Sequence, residues 1–257
     1  MSEPVPVKPA ATLLLVRDGD DGLEVFMVVR HHKIDFASGA LVFPGGKVDP
    51  DDFVIAADDS LCGATQLEPS ERAFRIAAAR ETFEECGVLL ARERGSQTWL
   101  AGERMEALAA AAKGRLFSET LKAEGLELAL DALVPFAHWV TPPILPKRFD
   151  TRFFIVAAPL DQLAAHDGSE SVDSVWISPA RAIADGRDGR FSLVFATELN
   201  LKMLGESADV ETALAAARAR KIVTVEPIPT RTAEGYTMRI PLEAGYGGDV
   251  FDMAKTA

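Results

Sequence analysis

Apolar and polar positions alternate along the chain in a way that predicts strands and helices in mixed order. Two apolar runs, 11–17 and 23–30, are separated by the turn 18–22, so we predict a hairpin. A short strand is expected over 40–43, where Pro44 and two glycines end it. Further strands are predicted at 133–140, 152–158 and 175–177, with a polar loop at 169–174, and further helices from Pro179, at 193–204 and at 210–220.

The strongest helical pattern ends at Gly87, and Ser70 is its expected N-cap. Its glutamates 81, 84 and 85 lie within an arc of about 100° on one face. Clustered carboxylate oxygens are the ligands that hard divalent cations take. The alternative at this point is a solvated acidic face. The apolar stripe roughly opposite consists of Ile76, Ala79, Phe83, Cys86 and Leu90.

Two stretches interrupt this pattern. Residues 49–70 are irregular and acidic, which predicts a long loop or a small insert. Residues 100–131 predict two inserted helices with a break at Gly114. We therefore expect one domain over 1–257, with a core at about 10–187 and a C-terminal extension at 188–257, of α/β or α+β class.

Composition narrows the possible partners. The chain has 257 residues and a net charge of −12, which argues against nucleic-acid and anionic-membrane binding. Cys62 and Cys86 are too few for a disulfide framework. The N-terminus lacks a signal-peptide pattern, and the chain has no run of about 18 apolar residues. A cytoplasmic location is expected.

The glycine turn followed by the acidic helix resembles the Nudix box. Gly46 and the later Arg80-Glu81-Thr82-Phe83-Glu84-Glu85-Cys86-Gly87-Val88 carry the likeness. Thr82 replaces an aliphatic residue, and about 20 extra residues separate the two halves. Counted back from Arg80, the upstream glutamate of the motif falls on Arg72, with Glu71 beside it.

A second likeness concerns one branch of that family. The segments 38–49, 138–142 and 147–154 are similar to coenzyme A diphosphatases, in particular long proteins related to the mammalian peroxisomal acyl-coenzyme A diphosphatase, which also carry an insertion in the box. The resemblance implies an α/β/α sandwich with a mixed central sheet, inserted helices and a C-terminal helical elaboration.

The resemblance also implies an activity. It implies hydrolysis of coenzyme A or acyl-CoA to 3′,5′-ADP and (acyl)phosphopantetheine. The alternative substrates are ADP-ribose and NADH or another dinucleotide. The alternative of another class is a nucleotide-sensing module without catalysis. The partner is then a small nucleotide, and a homodimer is possible.

The implied cofactor is Mg²⁺ or Mn²⁺, which neutralises phosphate charge and activates water. Its implied ligands are the Gly46 carbonyl, Glu81, Glu84 and Glu85, with Glu84 and Glu85 as the main ones. Glu81 is a ligand or the base that orients water, and Arg80 pairs with Glu84.

Other predicted roles fall outside the helix. Glu170 is the candidate base from a later loop, and a solvated loop acid is the alternative. Trp139 and Phe149 are expected to be core residues, and the alternatives are that they stack on adenine or line an acyl channel. The predicted substrate contacts are Arg30, Gly45, Gly46, Arg148 and Arg152, and Arg148 and Arg152 have structural pairing as the alternative.

Overall fold

The computed structural model describes residues 5–30, 39–63, 66–159, 161–162, 171–233 and 235–254. In chain order its strands are β1 Lys8–Gly19, β2 Gly22–Arg30, β3 Leu41–Val42, β4 Gly45–Lys47, β5 Ala91–Glu93, β6 Leu126–Leu128, β7 Val134–Val140, β8 Phe149–Ala157, β9 Ser171–Ile177, β10 Thr224–Val225, β11 Ile228–Arg231, β12 Gly235–Arg239 and β13 Val250–Ala254. Its α-helices are α1 Pro50–Ala56, α2 Asp59–Cys62, α3 Pro69–Cys86, α4 Met105–Ala112, α5 Phe117–Ala123, α6 Pro179–Arg187, α7 Phe195–Leu204 and α8 Val210–Ala219.

The central sheet is mixed, as predicted. Its strands follow the order β10-β7-β8-β1-β2-β3, and β9 pairs with β2. Strand β1 is parallel to β8 and antiparallel to β2. Only the second half of β1 pairs with β2, and β4 pairs with its first half, from Ala10 to Thr12. The glycine turn is thereby held against the middle strand of the sheet.

A separate hydrophobic core covers each face of the sheet, because successive side chains of a strand point to opposite faces. Leu13 and Leu15 of β1 enter the core that contains α3, whereas Leu14 and Val16 enter the core formed with α6, α7 and α8. This arrangement confirms the α/β/α sandwich.

Of the two alternatives for 49–70, the long loop is wrong for the described part of that stretch, because α1 and α2 form there, as a small insert would. Asp49 and Asp52 make a capping box around Pro50, the first residue of α1. Ile55 and Leu61 are fully buried in the first core, and this burial stabilises two short helices that their local sequence barely favours.

Two other boundaries differ from the predicted ones, and one prediction is confirmed. Ser70 is not the N-cap of α3, because Pro69 already occupies the first turn and Glu68 precedes it as N-cap. Residues 171–174 are not a loop, because β9 begins at Ser171 and pairs with β2. The two helices expected in 100–131 are present as α4 and α5, and Gly114 between them has a φ of 72°.

The C-terminal part of the chain completes the second face of the sheet. Leu199 and Leu204 of α7 and Ala213 of α8 lie in the second core. Strands β11, β12 and β13 form a small antiparallel sheet beside them. Residues 195–219 are therefore a layer of the sandwich rather than an appendage. In the described parts of the chain, no helix is both long and apolar enough to span a membrane.

Candidate active site

A cavity of about 470 Å³ lies on the α7 side of the sheet, beside β4. Its polar end is formed by Gly45, Gly46, Lys47, Glu81 and Glu85. Gly45 has a φ of 155°, and a Cβ there would lie 2.4 Å from the Ala11 carbonyl oxygen. Only glycine fits this close pairing of β4 with β1. The turn predicted as half of a site thus forms one wall of the cavity.

Glu85 is buried at the polar end of the cavity, with 8% of its surface exposed. The Gly45 N–H donates a hydrogen bond of 3.0 Å to its Oε2. Helix α3 and the glycine turn are therefore joined directly, although they are 40 residues apart in sequence. The structure brings together the two parts of the predicted site.

Glu81 also reaches the glycine turn. A Cβ on Gly46 would lie 2.3 Å from the Glu81 carboxyl carbon, so the backbone at Gly46 passes directly over this carboxylate. Glu84 is on the outer side of α3: half of its side chain is exposed, and it is not among the described residues that line the cavity. The three glutamates therefore do not share one environment.

Arg80 is buried between the glutamates and the inserted helix α1. Its Nη1 donates to Glu81 Oε1 at 2.9 Å and to Glu84 Oε2 at 3.0 Å, which confirms the expected contact with Glu84. Its Nη2 donates to the Lys47 carbonyl at 2.9 Å. This is a buried network rather than the exposed pair that the helix spacing allowed.

Asp52 of α1 is the partner that sequence analysis missed. It is fully buried, and its two oxygens accept from Arg80 Nε at 2.9 Å and Nη2 at 3.1 Å. Counting back from Arg80 placed the upstream acid of the motif at Arg72. Counting forward from Gly46, ahead of the insertion, reaches the acids of 49–52 instead, and this count could have found Asp52.

Burial and pairing act in opposite directions on this pair. Burial raises the pKa of Asp52, and the hydrogen bond and positive charge of Arg80 oppose that rise. Burial lowers the pKa of Arg80, but the hydrogen bond that Arg80 donates to Asp52 and the charges of Asp52, Glu81 and Glu84 outweigh it and raise the pKa. Arg80 is therefore held as a cation among carboxylates.

Arg72 and Glu71 have other contacts. Arg72 donates to the carbonyls of Leu67 and Ala56 and pairs with Asp59, so it ties α3 to the insert. Glu71 lies 3.5 Å from Arg152 Nη1, and the Arg152 guanidinium lies over the Phe74 ring. Arg152 is not among the described residues lining the cavity.

Arg148 likewise makes structural contacts. It donates to the carbonyls of Thr141 at 3.0 Å and Val5 at 3.1 Å, and to Glu226 at 2.7 Å. Arg148 does not line the cavity. Of the remaining predicted residues, the Arg30 backbone ends β2, and its side chain lies outside what the structure describes, as does all of Glu170.

Trp139 and Phe149 both line the cavity. The Trp139 Nε1–H donates to the Tyr246 hydroxyl at 2.9 Å, and Tyr246 donates to Asn200 Oδ1 at 2.7 Å. Burial raises the pKa of Tyr246 to about 12. Trp139 is therefore both a core residue and a cavity wall, fixed by a hydrogen-bonded chain from the C-terminal segment.

The donor chemistry of the polar end fits a hard divalent cation. No group of three acidic, histidine or cysteine side chains with metal-binding geometry occurs among the described residues. Mg²⁺ characteristically binds through one or two carboxylates and completes its shell with water and substrate phosphates. Glu85 and Glu81 at the cavity, with the Gly46 carbonyl, provide such a partial ligand set.

Comparisons with known proteins agree with this geometry. The model of the NUDT19 Nudix domain matches residues 54–192. A solved NUDIX hydrolase from Alicyclobacillus acidocaldarius is 30% identical, with a TM-score of 0.69 over 82% of this chain and 96% of that chain.

Two curated relatives are similar at lower identity. Putative nudix hydrolase 7 of Caenorhabditis elegans is 28% identical over 80% of this chain and 64% of its own length. Acyl-coenzyme A diphosphatase NUDT19 of Xenopus laevis is 27% identical over 63% of this chain and 54% of its own length. The chain thus spans between about half and two thirds of the length of these relatives.

Proposed function

Because the chain belongs to the Nudix hydrolase family, in the branch of the NUDT19 Nudix domain, we propose that it hydrolyses the pyrophosphate bond of coenzyme A or acyl-CoA. The products are 3′,5′-ADP and (acyl)phosphopantetheine. The observation that carries this proposal is the bond from Gly45 N–H to Glu85, which places two carboxylates and the glycine turn at one end of a cavity. The names of the NUDT19 relatives support the choice of substrate.

In this proposal Glu81, Glu84, Glu85 and the Gly46 carbonyl hold Mg²⁺ or Mn²⁺. When bound, the metal neutralises charge on the diphosphate and lowers the pKa of an attacking water. Glu85 is pre-positioned by Gly45, and Arg80 orients Glu81 and Glu84. Such fixed orientation is what a reaction with little covalent chemistry needs from the protein.

Arg80 donates to Glu84 Oε2 at 3.0 Å, and half of the Glu84 side chain is exposed. The water-activating base is Glu81 or Glu170 in this scheme, and both assignments stay predictions. The position of Glu81 supports its assignment as the base, because Glu81 lines the cavity.

The test is hydrolysis of CoA, acyl-CoA, ADP-ribose and NADH with Mg²⁺ or Mn²⁺, by the parent protein and by Glu84→Gln and Glu85→Gln. We expect CoA or acyl-CoA to be the best substrate of the parent. Each variant should lose about 100-fold or more in kcat, because a neutral amide is a poor ligand for a hard cation. The gain in Tm on adding metal should shrink in both variants.

Glu106→Gln is the matched control, since Glu106 is an exposed helical glutamate outside the cavity lining. Parental rates and unchanged metal dependence in Glu84→Gln and Glu85→Gln would contradict the metal assignment. Preference for ADP-ribose or NADH would show that this compound, rather than CoA or acyl-CoA, is the substrate. Binding without turnover of any compound would indicate a nucleotide sensor.

A further inference from the structure

The cavity beside Glu81 and Glu85 continues into a chamber whose walls are mainly apolar, with Thr141, Thr151 and Thr197 as uncharged polar residues among them. The chamber lies between β7, β8 and the start of α7, and Met238 of β12 also lines it. Its principal walls are Trp139, Leu145, Phe149, Phe153, Phe195 and Met238. One cavity thus presents two different environments to the two halves of a bound molecule.

Charge separates the two ends. Among the described residues that line the cavity, the charged ones are Lys47, Glu81 and Glu85, all at the end beside the glycine turn. The 3′,5′-ADP half of coenzyme A carries an additional phosphate, and burying it in the apolar chamber would leave its charge without a partner. An uncharged flexible arm meets no such cost and gains by leaving water.

The far end of the chamber opens at a lip made by two segments. Strand β10 runs parallel to β7, with Val225 opposite Trp139, so the residues that follow each strand emerge side by side. Pro142 and Leu145 come from one segment and Pro227 from the other, and all three line the cavity. Ile144, next to Leu145, is 71% exposed, so the apolar surface extends beyond the chamber.

Arg148 holds the two segments of this lip in place. Its three contacts join the Thr141 carbonyl, the Glu226 carboxylate and the Val5 carbonyl, which belong to three segments at the same end of the sheet. A side chain shared by three segments fixes the position of the loop that carries Leu145. The arginine predicted to bind phosphate has a positioning geometry instead.

We propose that the apolar chamber binds the uncharged arm of the substrate, the pantetheine and its acyl chain, rather than the nucleotide. Leu145 and Met238 are its specificity-determining residues, and Arg148 is a positioning residue. This inference rests on the proposed function, because it assumes that the diphosphate lies at Glu81 and Glu85. Long chains leave the chamber past Ile144.

The experiment compares kcat/KM for a long-chain acyl-CoA and for free CoA in the parent, Leu145→Gln and Met238→Gln. The ratio of long-chain acyl-CoA to CoA should fall about tenfold in each variant, since a polar side chain forfeits apolar contact with the acyl chain. Arg148→Met should raise KM for the long-chain substrate more than it changes kcat. Leu116→Gln is the control, because Leu116 is 55% exposed and outside the cavity lining, and its ratio should match the parent's.

Equal losses of kcat/KM on both substrates, or an unchanged ratio of long-chain acyl-CoA to CoA, would contradict the proposal that the chamber binds the pantetheine and acyl chain. Calorimetry with the two products separates this from failure of the proposed function. If the parent hydrolyses neither substrate, the function fails, and binding of 3′,5′-ADP and of acylphosphopantetheine to Leu145→Gln still tests the chamber. Weaker binding of acylphosphopantetheine supports the proposal, whereas weaker binding of 3′,5′-ADP alone, or of neither, refutes it.

Discussion

Arg80 illustrates how one side chain can depend on distant parts of the chain. Its guanidinium contacts two glutamates of its own helix, the Lys47 carbonyl in β4 and Asp52 in α1. The two-point contact with Asp52 matches the flat geometry of a guanidinium to that of a carboxylate. Asp52 is thus a positioning residue, which acts on the site through Arg80.

At the residue scale we therefore predict that Asp52→Asn is strongly disruptive. An asparagine keeps the shape but removes the charge, and its amide group faces a buried cation. The free energy of unfolding should fall by about 3–5 kcal/mol, as for other buried pairs that lose one partner. Chemical denaturation measures this loss, and kcat should fall with it because Glu81 and Glu84 lose their orientation.

Asp59→Asn is the matched control. Asp59 pairs with Arg72, but most of the Asp59 side chain is exposed to solvent. Exposed pairs contribute about 0–1 kcal/mol, so stability and kcat should stay close to parental values. A similar loss in both variants would show that burial is not what makes Asp52 important.

At the scale of elements, the inserted helix α1 connects α3 and α5. Adjacent acids of α1 point to different partners: Asp52 binds Arg80 of α3, whereas Asp51 accepts from the N–H and the hydroxyl of Ser118 at 2.9 Å and 2.6 Å. Ser118 lies in the first turn of α5, so Asp51 caps a second helix. The inserted helix α1 thus holds α3, which carries Glu81, Glu84 and Glu85, in contact with α5.

The corresponding prediction is that Asp51→Ala loosens this junction. The buried N–H of Ser118 would lose its acceptor, which costs about 1–3 kcal/mol of unfolding free energy. Denaturation midpoints measure the loss, and kcat should fall less than in Asp52→Asn because Arg80 keeps its partner. Asp209→Ala, which removes the exposed cap of α8, should cost about 1 kcal/mol and leave kcat unchanged. A larger kcat loss in Asp51→Ala than in Asp52→Asn would contradict this order.

At the scale of the whole molecule, the C-terminal segment is held to the sheet through two partly buried hydrogen bonds of Tyr246. Tyr246 connects Trp139 of β7 to Asn200 of α7, and its ring packs 5.3 Å from the Trp139 ring. The hydrogen bond to Asn200 requires a protonated phenol, since Tyr246 is its donor. Ionisation of Tyr246 would therefore remove one hydrogen bond between the C-terminal segment and α7.

We predict that this contribution is lost in alkali. The folded-state pKa of Tyr246 is about 12 and the ordinary value is 10, so the native state keeps the proton longer than the unfolded state does. The stabilisation is fully present below pH 10 and declines as pH rises from 10 through 12. Tyr246→Phe lacks this group, so the difference in unfolding free energy between parent and variant should narrow over that range. Parallel pH profiles would contradict the prediction.

The central elements of the fold and the acidic face of α3 were predictable because their signals are local. The apolar runs of β1 and β2 specify strands, and the spacing of Glu81, Glu84 and Glu85 specifies one helix face. The glycine turn was predictable for the same reason, since Pro44, Gly45 and Gly46 are consecutive turn residues, whereas its close contacts with Ala11 and Glu81 are tertiary.

Only the tertiary structure decided which charged residues belong to the site. The sequence leaves Arg148 and Arg152 open between phosphate contact and structural pairing, whereas in the structure they pair with Glu226 and Glu71 and do not line the cavity. Asp52 looks like one solvated acid among several, but burial against Arg80 makes it part of the site. Helical and strand periodicity depends on residues that are close together in the sequence, so the sequence alone reveals it. The partner of a charged side chain depends instead on which distant segments the fold brings together.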